Sequence, residues 1–189
     1  MRVQETPLPG LVVIEPDRYG DERGFFVETY RRSWHEQAGI PPAEAFLQDN
    51  HSRSSHGVLR GLHLQLGEGV AKLVRCVRGR IFDVGVDLRR GSPTYGQWAG
   101  VELDDEGLHE MYVPVGFAHG FCVLSEVADV AYKQSAYYDA GLERAIAWDD
   151  PEIAVSWPLP AGELVVSERD RAAPRLAEVA GELPFRWHP

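Results

Sequence analysis

The stretch KLVRCVRGRIFDVGVDLR, residues 72–89, alternates with period two on both sides of a single glycine. In its second half Phe82, Val84, Val86 and Leu88 alternate with Asp83, Gly85, Asp87 and Arg89. That is the pattern of a strand with one apolar and one polar face. The first half reads as a second strand, and Arg78-Gly79 between them reads as the tight turn of a hairpin. The expectation is a pair of strands, each buried on one face.

Outward from this stretch the texture repeats. FFVETY (25–30), AFLQDN (45–50), VLRGLHLQL (58–66), GQWAGVEL (96–103), EMYVPVG (110–116), HGFCVLS (119–125) and DVAYKQSAYY (129–138) are further strand-like runs. Turn residues separate them at the spacing of a sandwich or barrel. Helical signals are few. Ser33-Trp34-His35-Glu36 reads as a capping box with Gly39 as its stop, and another short helix is expected in the last twenty residues. The fold class is all-β, with strands enough for a double-sheet jelly roll and a few short helices.

Composition narrows the function. A chain of 189 residues suits one domain, and 44% hydrophobic with 25% charged residues suits a soluble globular one. A net charge of −10 argues against nucleic acid and against an anionic membrane surface as partners. It leaves open an anionic small molecule, which needs only a local cluster of arginine and lysine. The apolar run Leu11–Ile14 is too short for a leader core or a membrane span, so the expected location is the cytoplasm. Cys76 and Cys122 sit in strand-like runs and read as buried thiols of a reducing compartment.

One run carries an oddity. GVLRGLHLQ (57–65) puts His63 and Arg60 in an apolar segment. Three readings are open: a satisfied structural histidine, half of a metal site, or a general base inside a barrel beside an anion-binding arginine. An imidazole, with a reference pKa of about 6.5, suits a base near neutrality. Strict alternation sets Arg60 and His63 on opposite faces. A bulge at Gly61 would bring them to one face.

Several pieces, in this order, fit one family: DERGFFVETY (21–30), FLQDNHSRSSHGVLRGLHLQ (46–65), KLVRCVRGRIFDVGVDLR (72–89), PVGFAHGF (114–121), YKQSAYY (132–138) and SERD (167–170). Together they resemble the dTDP-4-dehydrorhamnose 3,5-epimerase family of the cupin superfamily, over roughly residues 3–175. The resemblance implies a cupin-type jelly-roll barrel spanning 1–189 as one epimerase domain with a short C-terminal tail. It also implies a homodimer that acts on a dTDP-4-keto-6-deoxyhexose without a cofactor.

The resemblance further implies roles. His63 is the base and Asp170 the carboxylate on its other nitrogen. Lys72 steadies the enolate oxygen, and Tyr132 is the proton donor. Tyr138 stacks on the thymine; by simple alternation it shares a face with Tyr132. Arg23, Arg60, Glu28, His119 and Glu143 match substrate-contact positions. Gln48 and Asn50, two apart and hence on one face, suit the edges of the thymine or the ribose. Arg169 departs from the family, which has lysine there: a planar fork replaces a point cation. Metal-binding cupins use a His-x-His pair, a carboxylate and a later histidine. Here the positions read His63-Leu64-Gln65 and His119, a poor donor set, so no metal is expected. The competing readings are a nucleotide-sugar-binding cupin without activity, a metal-dependent cupin enzyme, and a relative that inverts one carbon only.

Overall fold

A computed structural model describes residues 1–37, 39–40 and 46–188. Its strands are β1 (Arg2–Glu5), β2 (Val12–Glu15), β3 (Arg18–Asp21), β4 (Gly24–Val27), β5 (Gln48–Ser55), β6 (Val58–Gln65), β7 (Lys72–Arg78) and β8 (Arg80–Asp87). They continue as β9 (Trp98–Asp104), β10 (Glu110–Val113), β11 (Phe117–Val123), β12 (Val127–Gln134), β13 (Glu143–Ala145) and β14 (Val165–Val166). Helices α1 (Arg32–Gln37), α2 (Glu168–Arg171) and α3 (Leu176–Val179) are short, and no helix among the described residues is long and apolar enough to cross a membrane.

The two halves of the 72–89 stretch do not form a hairpin. β7 belongs to a sheet ordered β1-β2-β10-β7-β12-β5, and β8 to a second ordered β13-β6-β11-β8-β9. At Gly79 the chain crosses from one sheet to the other, and this alternation between sheets is what makes the fold a jelly roll. Gly79 has φ +80°, and a Cβ there would lie 2.2 Å from the Val127 carbonyl oxygen. Only glycine fits a corner this tight. The turn was legible, but the partner of each strand was not, because period-two alternation is the same in a hairpin and in a crossover.

The half-buried reading of β8 also needs correcting. Between the sheets, Val74, Cys76, Met111 and Val130 of one pack on Ile81, Leu103, Phe117 and Phe121 of the other. Val84, Val86 and Leu88 face away from this core. They pack with Leu62 and Leu64 under Ile146, Ile153, Leu176, Val179, Leu183 and Phe185 of the C-terminal segment. The polar face of β8 therefore points into the barrel, and Asp83 and Asp87 are fully buried. Asp87 is satisfied there by Arg89, Ser92 and Thr94.

Gly61 makes the bulge that brings Arg60 and His63 to one face. His63 pairs with His119 and Arg60 with Phe121, so three steps on β6 match two on β11. Gly61 has φ +130°, and a Cβ would sit 2.5 Å from Gly120 Cα. With Leu59, Leu62 and Leu64 turned outward, Arg60 and His63 both turn inward. α1 starts earlier than the capping box predicts. The Arg31 carbonyl accepts the amides of Trp34 and His35 and the His35 ring, which moves the cap to Arg31 and leaves Ser33 inside the first turn. The stop is as expected. Gly39, at φ +74°, bonds Glu36, and Ile40 bonds His35, the pair of bonds that ends a helix on a left-handed glycine. Ala45, the first residue of the AFLQDN run, lies outside the described residues. Cys76 and Cys122 are buried and unpaired.

Candidate active site

The inward polar side chains collect at one end of the barrel, above its apolar core. From β6, His63 hydrogen-bonds the Asp170 carboxylate through Nε2 at 2.7 Å. Asp170 sits in α2, whose first turn is fixed by the Ser167 hydroxyl accepting the Asp170 amide at 3.1 Å. The Gly61 backbone N–H also bonds Asp170, so the bulge both aims the histidine and holds its partner. Burial works to raise the Asp170 pKa, but the bonds from His63, Ser167 and Gly61 outweigh it and hold the carboxyl below its ordinary value. An ionised carboxylate on Nε2 fixes the proton there and leaves Nδ1 as an acceptor.

Lys72, at the start of β7, reaches across the interior. Its Nζ lies 3.5 Å from His119 Nδ1, and His119 Nε2 lies 2.8 Å from Asp83 Oδ1. Burial pulls the Lys72 pKa down to about 8, opposed by the charges of Asp83 and Glu143. Burial likewise lowers the His119 pKa, so at neutral pH an ammonium faces a neutral imidazole. Asp83 escaped the sequence reading. The available signal was an acid on the polar face of a strand long enough to be buried on both.

Tyr132 rises from β12 in the sheet opposite His63, with the Lys72 Nζ 6.0 Å from its ring centroid. Burial raises its pKa, with Arg60 opposing and Glu143 adding, so the phenol keeps its proton. Gln48 and Asn50 share a face as expected. Gln48 Nε2 donates to Asn50 Oδ1 at 2.9 Å, and Asn50 Nδ2 donates to Gln134 at 2.7 Å. Arg60 Nε donates to Ser54 at 3.1 Å.

Tyr138 lies past the end of β12, so strand alternation does not place it. A side-chain scaffold does. Its amide donates to Gln48 at 2.9 Å, and Gln65 bonds the backbones of Tyr137 and Asp139 on either side. Its hydroxyl donates to Glu143 at 2.8 Å, and Arg169 pairs with the same oxygen at 2.5 Å. Gln65 thus anchors this loop. No three histidine, cysteine, aspartate or glutamate side chains among the described residues group as metal ligands.

Two predicted residues are not brought to this cluster. Arg23 is at the tip of the β3–β4 hairpin, 84% exposed and paired with Asp21. Glu28 pairs with Arg31 and lines a cavity of about 540 Å³ together with Asp49, Leu73, Arg75 and Lys133. Leu73 packs there with Val12, Ile14 and Tyr112 in a cluster separate from the core between the sheets.

The family model for dTDP-4-dehydrorhamnose 3,5-epimerase matches residues 5–178. The chain belongs to the dTDP-4-dehydrorhamnose 3,5-epimerase family. The Pseudomonas aeruginosa dTDP-4-dehydrorhamnose 3,5-epimerase is 48% identical over 179 residues, covering 94% of this chain and 97% of the relative. A dTDP-6-deoxy-D-glucose-3,5-epimerase of Legionella pneumophila, solved in complex with dTDP-4-keto-L-rhamnose, superimposes with a TM-score of 0.94 at 46% identity. It covers 100% of this chain and 99% of that one. A dTDP-4-dehydrorhamnose 3-epimerase of Streptomyces niveus is 43% identical over 187 residues, covering 97% of this chain and 89% of the relative.

Proposed function

We infer that the protein is an isomerase that inverts C3 and C5 of dTDP-4-keto-6-deoxyglucose to give dTDP-4-dehydrorhamnose. The observation that carries this reading is the opposition of a histidine–carboxylate dyad on one sheet to a protonated phenol on the other. A carbon beside a ketone is a weak acid, and its inversion needs a base on one face of the sugar and a proton donor on the other. His63, its tautomer fixed by Asp170, removes the proton. Lys72 steadies the enolate oxygen. Tyr132 returns a proton from the far side. The reading needs no metal or cofactor, in keeping with His119 spending both ring nitrogens, Nε2 on Asp83 and Nδ1 on Lys72.

Proton NMR of the substrate turned over in D₂O, with enzyme exhaustively chelated and dialysed, tests this. Deuterium is expected at both C3 and C5, with inversion at both. Exchange at one carbon would make the protein a single-carbon epimerase, and activity restored by one specific metal would overturn the cofactor-free mechanism.

The nucleotide end of the substrate lies at the barrel mouth. Tyr138 offers a flat ring for the thymine, Gln48 and Asn50 offer amides for its edges or the ribose, and Arg60 and Arg169 offer charge to the diphosphate. Glu143 and His119 complete the contacts. Tyr138→Ala is expected to weaken dTDP binding by roughly ten- to a hundredfold, the effect of one base stacked on an aromatic ring. Unchanged affinity by calorimetry would remove Tyr138 as the platform.

The working assembly is a homodimer of one-domain chains (1–189). Tyr19, Phe25 and Phe26 leave an apolar surface exposed on the β3–β4 hairpin, Phe26 at 66%. Such a surface suits a protein partner, and a second copy that covers it brings Arg23 and Glu28 into an interface. The working location is the cytoplasm, in keeping with two buried, unpaired thiols.

A further inference from the structure

The proposed reaction draws on Lys72 but gives no part to Asp83, a fully buried acid in the middle of β8. Withdrawing a carboxylate from water costs several kcal/mol unless it is compensated. Here Oδ1 meets His119, and Oδ2 has no hydrogen-bond partner among the described residues. Hydrogen bonding within the fold leaves this charge half compensated.

We propose that Asp83 is a positioning residue which, through His119, keeps Lys72 cationic and aimed at the reacting end of the barrel. The proposal rests on the epimerase reading above. As an acceptor at 2.8 Å, Asp83 requires the proton of neutral His119 to sit on Nε2. Nδ1 is then a lone pair, and only a donor can face it; Lys72 Nζ does so at 3.5 Å. The other tautomer would turn an N–H against the ammonium. One N–H of Lys72 is spent on this contact, and the others are left for an oxygen developing negative charge.

Charge works in the same direction. Lys72 is faced by His119 from β11, Asp83 from β8, Glu143 from β13 and Tyr132 from β12, and the charge of His63 on β6 also reaches His119. Of these, Asp83 and Glu143 oppose the burial that drives Lys72 toward neutrality, Asp83 the more strongly. Without the Asp83 charge, burial acts on Lys72 with less to oppose it, and its pKa falls further below about 8.

Activity that needs a cationic Lys72 declines as pH rises through the Lys72 pKa, so the test is the basic limb of the kcat/KM profile. In Asp83→Asn that limb is expected to move down by at least about one pH unit, as for loss of a nearby opposite charge, with activity recovering toward acid pH. Asp83→Ser removes the same charge from a smaller side chain and should behave alike. Asp83→Glu keeps the charge and should return the limb toward the wild-type position. A lower rate with an unmoved limb, or a limb that Asp83→Glu does not restore, would overturn the proposal. So would failure of all three variants to fold, judged by circular dichroism melts, since that assigns Asp83 to the fold alone. A wild-type protein that exchanges no sugar proton in D₂O would instead sink the epimerase reading, which separates the two failures.

Discussion

His63→Ala should lose both inversion and solvent-deuterium uptake, each by at least the ~10²–10⁴-fold typical of removing a general base. Both processes begin with the same carbanion, and among the described residues neither His119 nor Tyr132 can take the part of His63. His119 has its Nε2 on Asp83 and its Nδ1 facing the Lys72 ammonium, so it has no free lone pair to take a proton. Tyr132, with its pKa raised by burial, is the wrong ionisation state for a base. The substitution also takes His63 from Asp170, a buried carboxylate left with the bonds from Ser167 and Gly61. A loss of stability on the order of 1–3 kcal/mol is expected with it. Thermal melts separate that loss from the catalytic one, because the bulge at Gly61 and the cap at Ser167 are untouched. A His63→Ala protein that inverts its substrate near the wild-type rate would falsify the assignment and make His63 a structural histidine.

That histidine also marks how far the sequence could be read. The β periodicity of KLVRCVRGRIFDVGVDLR and its neighbours was enough for an all-β reading, because alternation is local. What alternation does not encode is which side is wet. The alternation reads β8 as buried on one face, yet the C-terminal segment covers its apolar face and the polar face, with Asp83 and Asp87, is buried too. Gly79 announced a turn, but hairpin and crossover differ only in what lies on either side of it. Gly61 was the better signal. A glycine between an arginine and a histidine of one strand made a bulge worth expecting, and the β6–β11 register has it. The dyad of His63 and Asp170 spans 107 residues, and the fold of a 189-residue chain brings it together. No spacing rule reaches that far, so only family resemblance named Asp170. The same resemblance named Arg23 and Glu28, which a single chain leaves outside the barrel. A pattern along the chain names residues without recording where the fold carries them.

Tyr132→Phe separates the two halves of the reaction that His63→Ala removes together. The ring is kept, so its packing against the core between the sheets survives, and the change takes away one hydroxyl. His63, Asp170 and Lys72 retain their contacts, and proton removal continues. The enolate so formed has lost its donor on the β12 side, while His63, now protonated, still faces it from β6. Reprotonation then returns to the original face. In D₂O the substrate should take up deuterium with its configuration intact, whereas inversion falls by the ~10²–10⁴-fold expected on losing a general acid. The sheet positions make the prediction directional. Two groups on one strand could replace each other, but groups on opposed sheets reach opposite faces of a sugar lying between them. Proton NMR that follows loss of the C3 and C5 signals alongside product formation reads both rates in one sample. Equal losses of exchange and inversion would place Tyr132 at the enolisation step beside Lys72, and full inversion without the hydroxyl would hand the donor's part to water or to another residue at the barrel mouth.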